Sequence, residues 1–448
     1  MTQTKLTSNT SLTGKWKSYP SYKDSNIKWV GKIPVTWQVM RLKYIAHLCY
    51  GDSLPADARS EGEVPVFGSN GPVGFHSEPN TLAPALVIGR KGSFGKITFS
   101  DQPCFAIDTT YFIDVRNSKV NLRWLFYALL PLRLDAISED SAVPGLSREL
   151  TEEQWLPVMP LPEQLAIAAF LDHKTARINA LIAKKERLIE LLQEKRAALI
   201  SHAVTKGLDP TVPMKDSGVE WLGEVPSHWE VKRLRFVADV LTGVAKGRDL
   251  GQKDVVEIPY LRVANVQDGY LDLADIATII VGVDEVERYS LKYGDVLMNE
   301  GGDFDKLGRG YVWEEIIAPC LHQNHVFAVR PHFGVNPYWI SIITLTSYAK
   351  HYFILKSKQS TNLASISGTN LKELPVLMPP EDELNEIMLY TKDATAKIDA
   401  LISRIRGGIE KLREYSTALI SSAVTGKIDV RGEIASQDEM SISSTVKY

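Results

Sequence analysis

Two stretches of the sequence carry polar side chains that could form hydrogen bonds with a phosphate or with the edge of a nucleic-acid base. In the first, the segment GRKGS at 89–93 separates β-branched and aromatic runs at 86–88 and 96–99, which is typical of a β-hairpin. Arginine can donate two hydrogen bonds to guanine O6 and N7, and flanking glycines let a backbone approach a phosphate. The candidate contacts are therefore Arg90, Lys91 and Ser93, with Ser69 and Asn70 from the neighbouring hairpin-like stretch 64–78. A solvated turn is the alternative interpretation.

A second set of polar side chains alternates with apolar ones over 258–273, 294–310 and 322–331. Alternation gives a strand one buried and one exposed face, so such side chains could recognise a ligand from the exposed face or its loops. The set comprises Arg262, Asn265, Gln267, Asn299, Glu300, Arg309, Gln323 and Asn324. We select Arg262, Asn265, Gln267, Arg309 and Asn324 as candidate contacts. Plain surface polarity is the alternative.

Other kinds of chemistry are poorly supported. Neither GSNG at 68–71 nor GRKGS at 89–93 fits the phosphate-binding pattern GxxxxGK[ST]. Cys320, His322 and His325 lie in a strand-like stretch without a second ligand cluster, so we expect no metal site. The segment NPYW at 336–339 resembles an amino-methyltransferase motif but lacks its second proline, and we interpret it as Asn-Pro in a loop. These features predict a binding protein without a catalytic site of its own.

The segments that we expect to position these side chains form an internal repeat, with two copies in the chain. KDSNIKWVGKIPVTWQVMRLKYIA at 23–46 and KDSGVEWLGEVPSHWEVKRLRFVA at 215–238 share 11 of 24 positions at an offset of 192, including two tryptophans. Further pairs, ARINALI with AKIDALI and ALISHAVT with ALISSAVT, recur at an offset of 220. Leu156-Pro157-Val158 matches Leu374-Pro375-Val376 at an offset of 218. The variable regions between the repeats, about 47–155 and 239–373, show no obvious similarity to each other.

The repeated segments at 162–205 and after Pro380 are predicted to be long helices with an apolar stripe. Helices of this length need a partner along the stripe, and the simplest partner is the other copy, in an antiparallel pair with a pseudo-two-fold axis. Gly407-Gly408 predicts a bend or local fraying in the second helix. The stripe residues are Ile178, Leu181, Leu188, Leu192 and Leu199 in the first helix and Ile398, Leu401, Ile405, Leu412 and Leu419 in the second.

Composition limits the possible classes of protein. The chain has 448 residues, 44% of them apolar and 23% charged, so a packed core is expected and wholesale disorder is excluded. It has no apolar run long enough to span a membrane, no secretory signal, and three scattered cysteines, which favours the cytoplasm. The net charge of −3 gives little sign of a nucleic-acid partner. A subunit that works inside a larger assembly can leave phosphate neutralisation to its partners, so we expect weak DNA binding by this chain alone.

Taken together, the repeat and its unlike inserts resemble the specificity subunit (HsdS) of type I restriction-modification systems over residues 18–430. The resemblance lies in the repeated tryptophan segment and in IGRKGSFGKI, TTYFI, LPEQLAIAAFLDHKTARINALI, IPYLRVANVQDGYLDL, GGDFDKLGRG and HQNHVFAVR. The second helix begins with PPEDELNEIMLYTKDATAKIDALI, a degraded copy of the first, and residues 1–17 and 431–448 extend beyond the pattern.

This resemblance implies a non-catalytic subunit in which each variable region reads one half of a split site in double-stranded DNA. The long helices would set the gap and dock two modification (adenine methyltransferase) subunits, with two restriction (translocase and endonuclease) subunits joining that core. S-adenosylmethionine and ATP with Mg²⁺ would bind the partner subunits, and no cofactor or metal is expected in this chain. A helical scaffold and a self-contained DNA methyltransferase are the alternatives.

The predicted fold class is α+β, with two β-rich target-recognition domains joined by two long antiparallel α-helices in a pseudo-two-fold, internally duplicated arrangement. The predicted segments are an N-terminal extension at 1–22, the first recognition domain at 23–160 and the first spacer helix at 161–210. They continue with the second recognition domain at 211–378, the second spacer helix at 379–428 and a polar, disordered tail at 429–448.

Overall fold

The chain is a mixed structure of helices and strands in two compact units. The computed structural model describes residues 16–137, 145–302, 307–359 and 364–433. One unit takes the described residues up to Lys185 and from Arg406 onward, and the other takes Glu186–Ile405. The division runs through both long helices, whereas the predicted boundaries treat each helix as a segment of its own.

The first unit is built on two sheets that contain the first variable region. Its four-stranded antiparallel sheet has the order Cys49–Tyr50, Thr110–Asp114, Ala85–Gly89, Ile97–Ser100. Its three-stranded sheet has the order Gly71–His76, Val64–Gly68, Phe105–Ala106. Both hairpins expected from the glycine-bounded runs are therefore confirmed. The remaining elements are the strand pairs Tyr22–Asp24 with Lys32–Pro34 and Gln38–Arg41 with Trp155–Val158, and the helices Leu42–Ile45, Leu122–Leu129 and Arg148–Glu152.

The second unit repeats this plan. Its four-stranded sheet has the order Ala238–Thr242, Val326–Pro331, Val296–Asn299, Gly310–Val312, and a three-stranded sheet has the order Ala277–Gly282, Val255–Leu261, Leu321–His322. The other strands are Met214–Asp216 with Glu224–Pro226, Glu230–Arg233 with Pro375–Met378, and Gly301–Gly302, Ala364–Ser365 and Lys358–Gln359 in a further sheet. The helices are Val286–Tyr289, Pro337–Thr344, Ser347–Lys356 and Gly368–Lys372.

The two variable regions thus share a sheet topology although their sequences do not match. In both, two strands pair in parallel and the other neighbours in these sheets pair antiparallel. Sheet order depends on backbone hydrogen bonds and on apolar alternation, so it can persist while surface side chains diverge. The strand register also corrects one detail of the repeat, because Arg41 pairs with Trp155 and its counterpart Arg233 pairs with Pro375. Equivalent positions in these strands are therefore 220 residues apart, as in the helices, so the sequence match at 218 does not align equivalent positions.

The repeated tryptophans are the centres of two equivalent hydrophobic cores. Trp37 and Trp229 are fully buried. Each packs beside the glycine that follows a long helix, Trp37 beside Gly426 and Trp229 beside Gly207. Both glycines have positive φ, where a Cβ is disfavoured. Each repeated tryptophan therefore packs the end of one long helix against the neighbouring small sheet.

The long helices run over Leu161–Lys206 and Glu381–Val424. The second helix continues through Gly407 and Gly408, so the fraying predicted there is wrong. Glycine costs about 1 kcal/mol relative to alanine in a helix interior. The flanking Ile405 and Ile409 are buried, so this part of the helix has tertiary packing in addition to its own hydrogen bonds.

The apolar stripes of these helices differ in part from the predicted ones. Leu181, Leu188 and Leu401 are more than 40% exposed. The inward positions are instead one residue further on, at Ile182, Ile189 and Ile402. Of the other predicted stripe residues, Ile178, Ile398, Ile405 and Leu419 are buried, and Leu192, Leu199 and Leu412 are half-buried.

Both ends of the described chain contribute to the first unit. Lys17 and Asp429 pair as an antiparallel bridge, and Val430 is fully buried. The disorder predicted for 429–433 is therefore wrong, because the sequence offered no sign that these residues complete the core around Trp16. The rest of the predicted tail, 434–448, lies outside the described residues, as does 1–15 of the N-terminal extension.

Candidate nucleic-acid interface

The five candidate residues of the first variable region lie together where two hairpins turn. The Ser69 hydroxyl donates to the Thr109 carbonyl oxygen at 2.8 Å, next to the end of the strand Ala85–Gly89. The Lys96 ammonium donates to the Asn70 side-chain oxygen at 2.9 Å. We call this surface, formed by Ser69, Asn70, Arg90, Lys91, Ser93 and Lys96, the first tip. The grouping is the one that the sequence predicts, with Lys96 added.

Arg90 lies over aromatic rings at the first tip. Its guanidinium carbon is 5.0 Å from the centroid of the Tyr50 ring and 5.8 Å from that of Tyr111. It also donates to the Asp108 carbonyl oxygen at 3.2 Å, and Arg148 lies 5.4 Å from the Tyr50 centroid. The cation–π contacts with both rings hold the guanidinium in place, and Arg90 is half-buried.

Sequence reasoning missed Tyr50 and Arg148, since neither lies in a glycine-bounded turn. Half of the Tyr50 side chain is exposed, whereas Tyr111 is buried. Burial raises the pKa of Tyr111 above its usual value, and the neighbouring Tyr50 adds to the shift. Tyr111 therefore stays neutral and donates to the Leu146 carbonyl oxygen at 3.1 Å.

The candidates of the second variable region have more varied surroundings. Arg262 is paired with Asp275 at 2.8 Å. Gln267 donates to the Ala264 carbonyl oxygen at 2.7 Å. The side-chain nitrogen of Asn324 lies 3.4 Å from the His325 ring, and Arg309 is half-buried.

Asn265 does not fit its predicted role as a ligand contact. It is buried, with 3% of its surface exposed. Its side-chain oxygen accepts from the Arg262 backbone N–H at 2.8 Å. Its amide nitrogen donates to the carbonyl oxygens of Asp272 and Asp275, both at 2.9 Å. With its amide used inside the loop, Asn265 shapes the backbone around Arg262 and is not placed to contact a ligand.

A cavity of about 470 Å³ lies beside these residues. Glu300 and His325 line it, joined by a 2.7 Å hydrogen bond between a carboxylate oxygen and ring Nδ1. Lys358 and Gln359 also line it. The His325 side chain is 57% exposed and that of Glu300 is 27% exposed, so both can be reached from solvent. Sequence reasoning considered Glu300 only as one polar residue among several, and His325 only as a metal ligand.

The residues of this region that were considered as metal ligands have other surroundings. Cys320 and His322 are buried. Burial raises the pKa of Cys320 to about 12 and lowers that of His322, so the thiol is protonated and the imidazole neutral. His322 Nδ1 donates to the Val326 carbonyl oxygen at 2.6 Å. Within the described residues, no group of three or more histidine, cysteine or acidic side chains is arranged to hold a metal.

The segment at 336–339 begins a helix, which corrects its interpretation as a plain loop. Pro337 occupies the first turn of Pro337–Thr344, and the Asn336 side chain caps it by accepting from the Tyr338 backbone N–H at 2.9 Å. Asparagine at the N-cap followed by proline at the first helical position is a common helix start. Trp339 is fully buried and donates to the Leu377 carbonyl oxygen at 2.7 Å.

Comparison with known proteins shows which proteins the chain resembles. The model of the type I restriction modification DNA specificity domain matches residues 34–191. The chain is 23% identical over 369 residues to the type I restriction enzyme EcoBI specificity subunit of Escherichia coli, covering 80% of this chain and 76% of that protein. It is 24% identical over 289 residues to the EcoKI specificity subunit of Escherichia coli strain K12, covering 64% of this chain and 60% of that protein.

The fold is similar to that of a solved structure. That structure is described as showing the structural basis of complex assembly and conformational transition of the type I R-M system. Its TM-score is 0.60 at 15% identity, covering 88% of this chain and 98% of that chain. The chain is therefore similar in sequence to type I restriction-modification specificity subunits. Among the described residues, no helix combines the length and apolar character needed to cross a membrane.

Proposed function

We propose that the chain supplies the DNA sequence specificity of a type I restriction-modification complex, and that each variable region reads one half of an asymmetric bipartite site. The observation that carries this proposal is the shared sheet topology of two regions whose sequences do not match. A repeated frame that presents different side chains would recognise two different half-sites.

The long helices set the gap between the half-sites and dock two modification subunits. In the first unit, Phe170 at the start of the first helix shares a core with Leu419 near the end of the second. In the second unit, Ile387 at the start of the second helix shares a core with Ala203 near the end of the first. This reciprocal packing supports an antiparallel pair with pseudo-two-fold symmetry. Arg196 and Asp399 add an ion pair at 3.1 Å.

Docking requires exposed apolar side chains, and the outward leucines of the helices supply them. Leu181, Leu188, Leu191 and Leu401 are each 42% to 45% exposed. Contact with a modification subunit would remove this apolar surface from water. The restriction subunits would join the resulting core.

The contacts to DNA come from the first tip and from polar side chains of the second variable region. Arg90, Lys91 and Ser93, with Ser69 and Asn70, serve the first half-site, and Arg262, Gln267, Arg309 and Asn324 serve the second. An arginine on a base edge stabilises one sequence position, by about 1–3 kcal/mol, whereas a lysine on a phosphate supports every sequence. Asn265 is left out of this set because its amide is already satisfied.

The chain is non-catalytic in this proposal. Partner subunits transfer the methyl group from S-adenosylmethionine to adenine. Partner subunits also carry out ATP-driven translocation with Mg²⁺, and this chain holds no cofactor. The alternatives, a helical scaffold and a self-contained methyltransferase, predict different behaviour. A scaffold shows no DNA selectivity even with its partners, and a methyltransferase binds S-adenosylmethionine as an isolated chain.

The test is to map methylated adenines genome-wide in cells that express the modification subunits with and without this chain. We expect a bipartite methylated motif that is present only when the chain is expressed. A motif that persists without the chain, or methylation by the isolated chain, would contradict the proposal.

A further inference from the structure

Arg90 and Glu300 occupy the same position in the two variable regions. The Arg90 backbone N–H donates to the Thr109 carbonyl oxygen, and the Glu300 N–H donates to the His325 carbonyl oxygen, both at 2.9 Å. The Arg90 carbonyl oxygen accepts from Leu146 N–H, and that of Glu300 accepts from Ile366 N–H, again both at 2.9 Å.

The residues around this position are equivalent as well. Lys91 bridges to Gly145 just as Gly301 pairs with Ser365. Each position directly follows a strand at the centre of a four-stranded sheet, Ala85–Gly89 or Val296–Asn299. Equivalent backbone hydrogen bonds therefore hold residue 90 and residue 300 at corresponding positions in the two sheets.

The side chains at this shared position have opposite charges and are accessible. Within the described residues, the Arg90 guanidinium contacts a backbone carbonyl oxygen and two tyrosine rings, and no carboxylate. Glu300 lies in the wall of the 470 Å³ cavity, held by Nδ1 of His325. His325 is the counterpart of Thr109 in the hydrogen-bond pattern above. Each side chain is thus oriented by a neighbour while part of its hydrogen-bonding capacity faces solvent.

We infer that residues 90 and 300 are specificity-determining residues that contact base edges in the major groove. This inference rests on the proposed function. Arg90 donates to O6 and N7 of a guanine in one half-site. Glu300 accepts from the N4 amino group of a cytosine in the other, with His325 fixing the carboxylate. These are the base-edge partners that guanidinium and carboxylate groups suit.

This assignment explains why one frame can serve two sequences. The hydrogen bonds that place the position use only backbone atoms, so its side chain can change without loss of the fold. Opposite charges at one equivalent position then select opposite bases, since guanine offers acceptors and cytosine offers a donor.

The test compares Arg90→Ala and Glu300→Gln chains in the complex with modification subunits, by mapping methylated motifs. Arg90→Ala is expected to relax one guanine position in one half-site by roughly 10- to 100-fold, the range for loss of a base-edge contact. Glu300→Gln, which keeps the side-chain size, is expected to relax one cytosine position in the other half-site. The matched controls are Lys119→Ala and Glu287→Ala, at exposed residues that are not among the candidate contacts, and they should keep the parental motif.

The outcomes separate the inference from the proposed function. Unchanged motifs in both variants, relaxation at an adenine or thymine position, or a uniform loss over all sites would overturn the inference while leaving the bipartite motif intact. A parental chain that directs no bipartite motif would instead contradict the proposed function. Thermal unfolding of each variant checks its fold, and Arg90→Gln, which keeps the aliphatic stem of the side chain, replaces Arg90→Ala if that variant unfolds.

Discussion

Gly51 and Gly243 lie at equivalent positions, each against a carbonyl oxygen of a neighbouring strand. A Cβ added to Gly51 would overlap the Ile107 and Ala106 carbonyl oxygens, and a Cβ added to Gly243 would overlap those of Gln323 and His322. The two glycines are 192 residues apart, the offset of the tryptophan repeat. The duplicated frame therefore extends beyond the recognisable repeat and into both variable regions.

Alanine at either glycine should destabilise only the unit that contains it. The backbone must move to relieve the overlap, at a cost of about 1–3 kcal/mol. Thermal unfolding of Gly51→Ala and Gly243→Ala measures this cost. The control is Gly407→Ala, where no atom lies within 4 Å of an added Cβ. It should raise stability by up to about 1 kcal/mol. Equal melting temperatures for all three variants would show that the close approach is not tight.

Asn265 and Gln267 should differ sharply when each is replaced by alanine. Asn265→Ala removes three hydrogen bonds from a buried loop, and each contributes about 1 kcal/mol. Gln267→Ala removes one hydrogen bond at the surface and should change stability by less than about 0.5 kcal/mol. Chemical denaturation of the two variants measures both values. A stable Asn265→Ala protein that has lost selectivity at one position would restore Asn265 as a DNA contact.

Asp114 should make the first unit sensitive to acid. Burial alone would raise the pKa of this carboxyl, but hydrogen bonds from the Arg116 guanidinium and from the backbone N–H groups of Leu82 and Arg116 outweigh it and lower the pKa. A lowered pKa stabilises the fold at pH values above the unfolded pKa of about 4, and this stabilisation is lost as the pH falls through the folded pKa.

The measurement is the melting temperature of parental and Asp114→Asn proteins between pH 7 and pH 3. Asp114→Asn should lower stability at pH 7 by about 1–3 kcal/mol and should show a shallower loss in acid. Asp101→Asn, at an exposed position of the same region, is the control. Parallel pH curves for parental and Asp114→Asn proteins would show that Asp114 does not carry this dependence.

Inserting one helical turn into a long helix should change the gap between half-sites and not their sequences. Four residues added after Leu192 lengthen the helix by about 6 Å, on the order of one or two base pairs. The control replaces the exposed Gln193 and Glu194 by alanine without changing the length. Methylated motifs that keep the parental gap after the insertion would show that the helices do not set it.

The sequence predicts the frame of this protein better than its site. The tryptophan repeat, the two hairpins and the long helices follow from composition and periodicity, because apolar spacing determines which faces are buried. Helix faces are less certain, since Leu181 and Ile182 are adjacent apolar residues and only packing decides which one turns inward. The site depends on contacts between residues distant in the chain, such as Glu300 with His325 and Arg90 with Tyr50, and no local pattern signals them. Buried Asn265 and half-buried Gln267 look alike in sequence for the same reason.

Exchange of one variable region is the sharpest test of whether each region reads its own half-site. Residues 47–155 are replaced by the corresponding region of another specificity subunit, and methylated adenines are mapped in cells that express the modification subunits. We expect one half of the bipartite motif to change to the donor's half-site while the other half and the gap are retained. A motif that changes in both halves, or in neither, would contradict the claim that each variable region reads its own half-site.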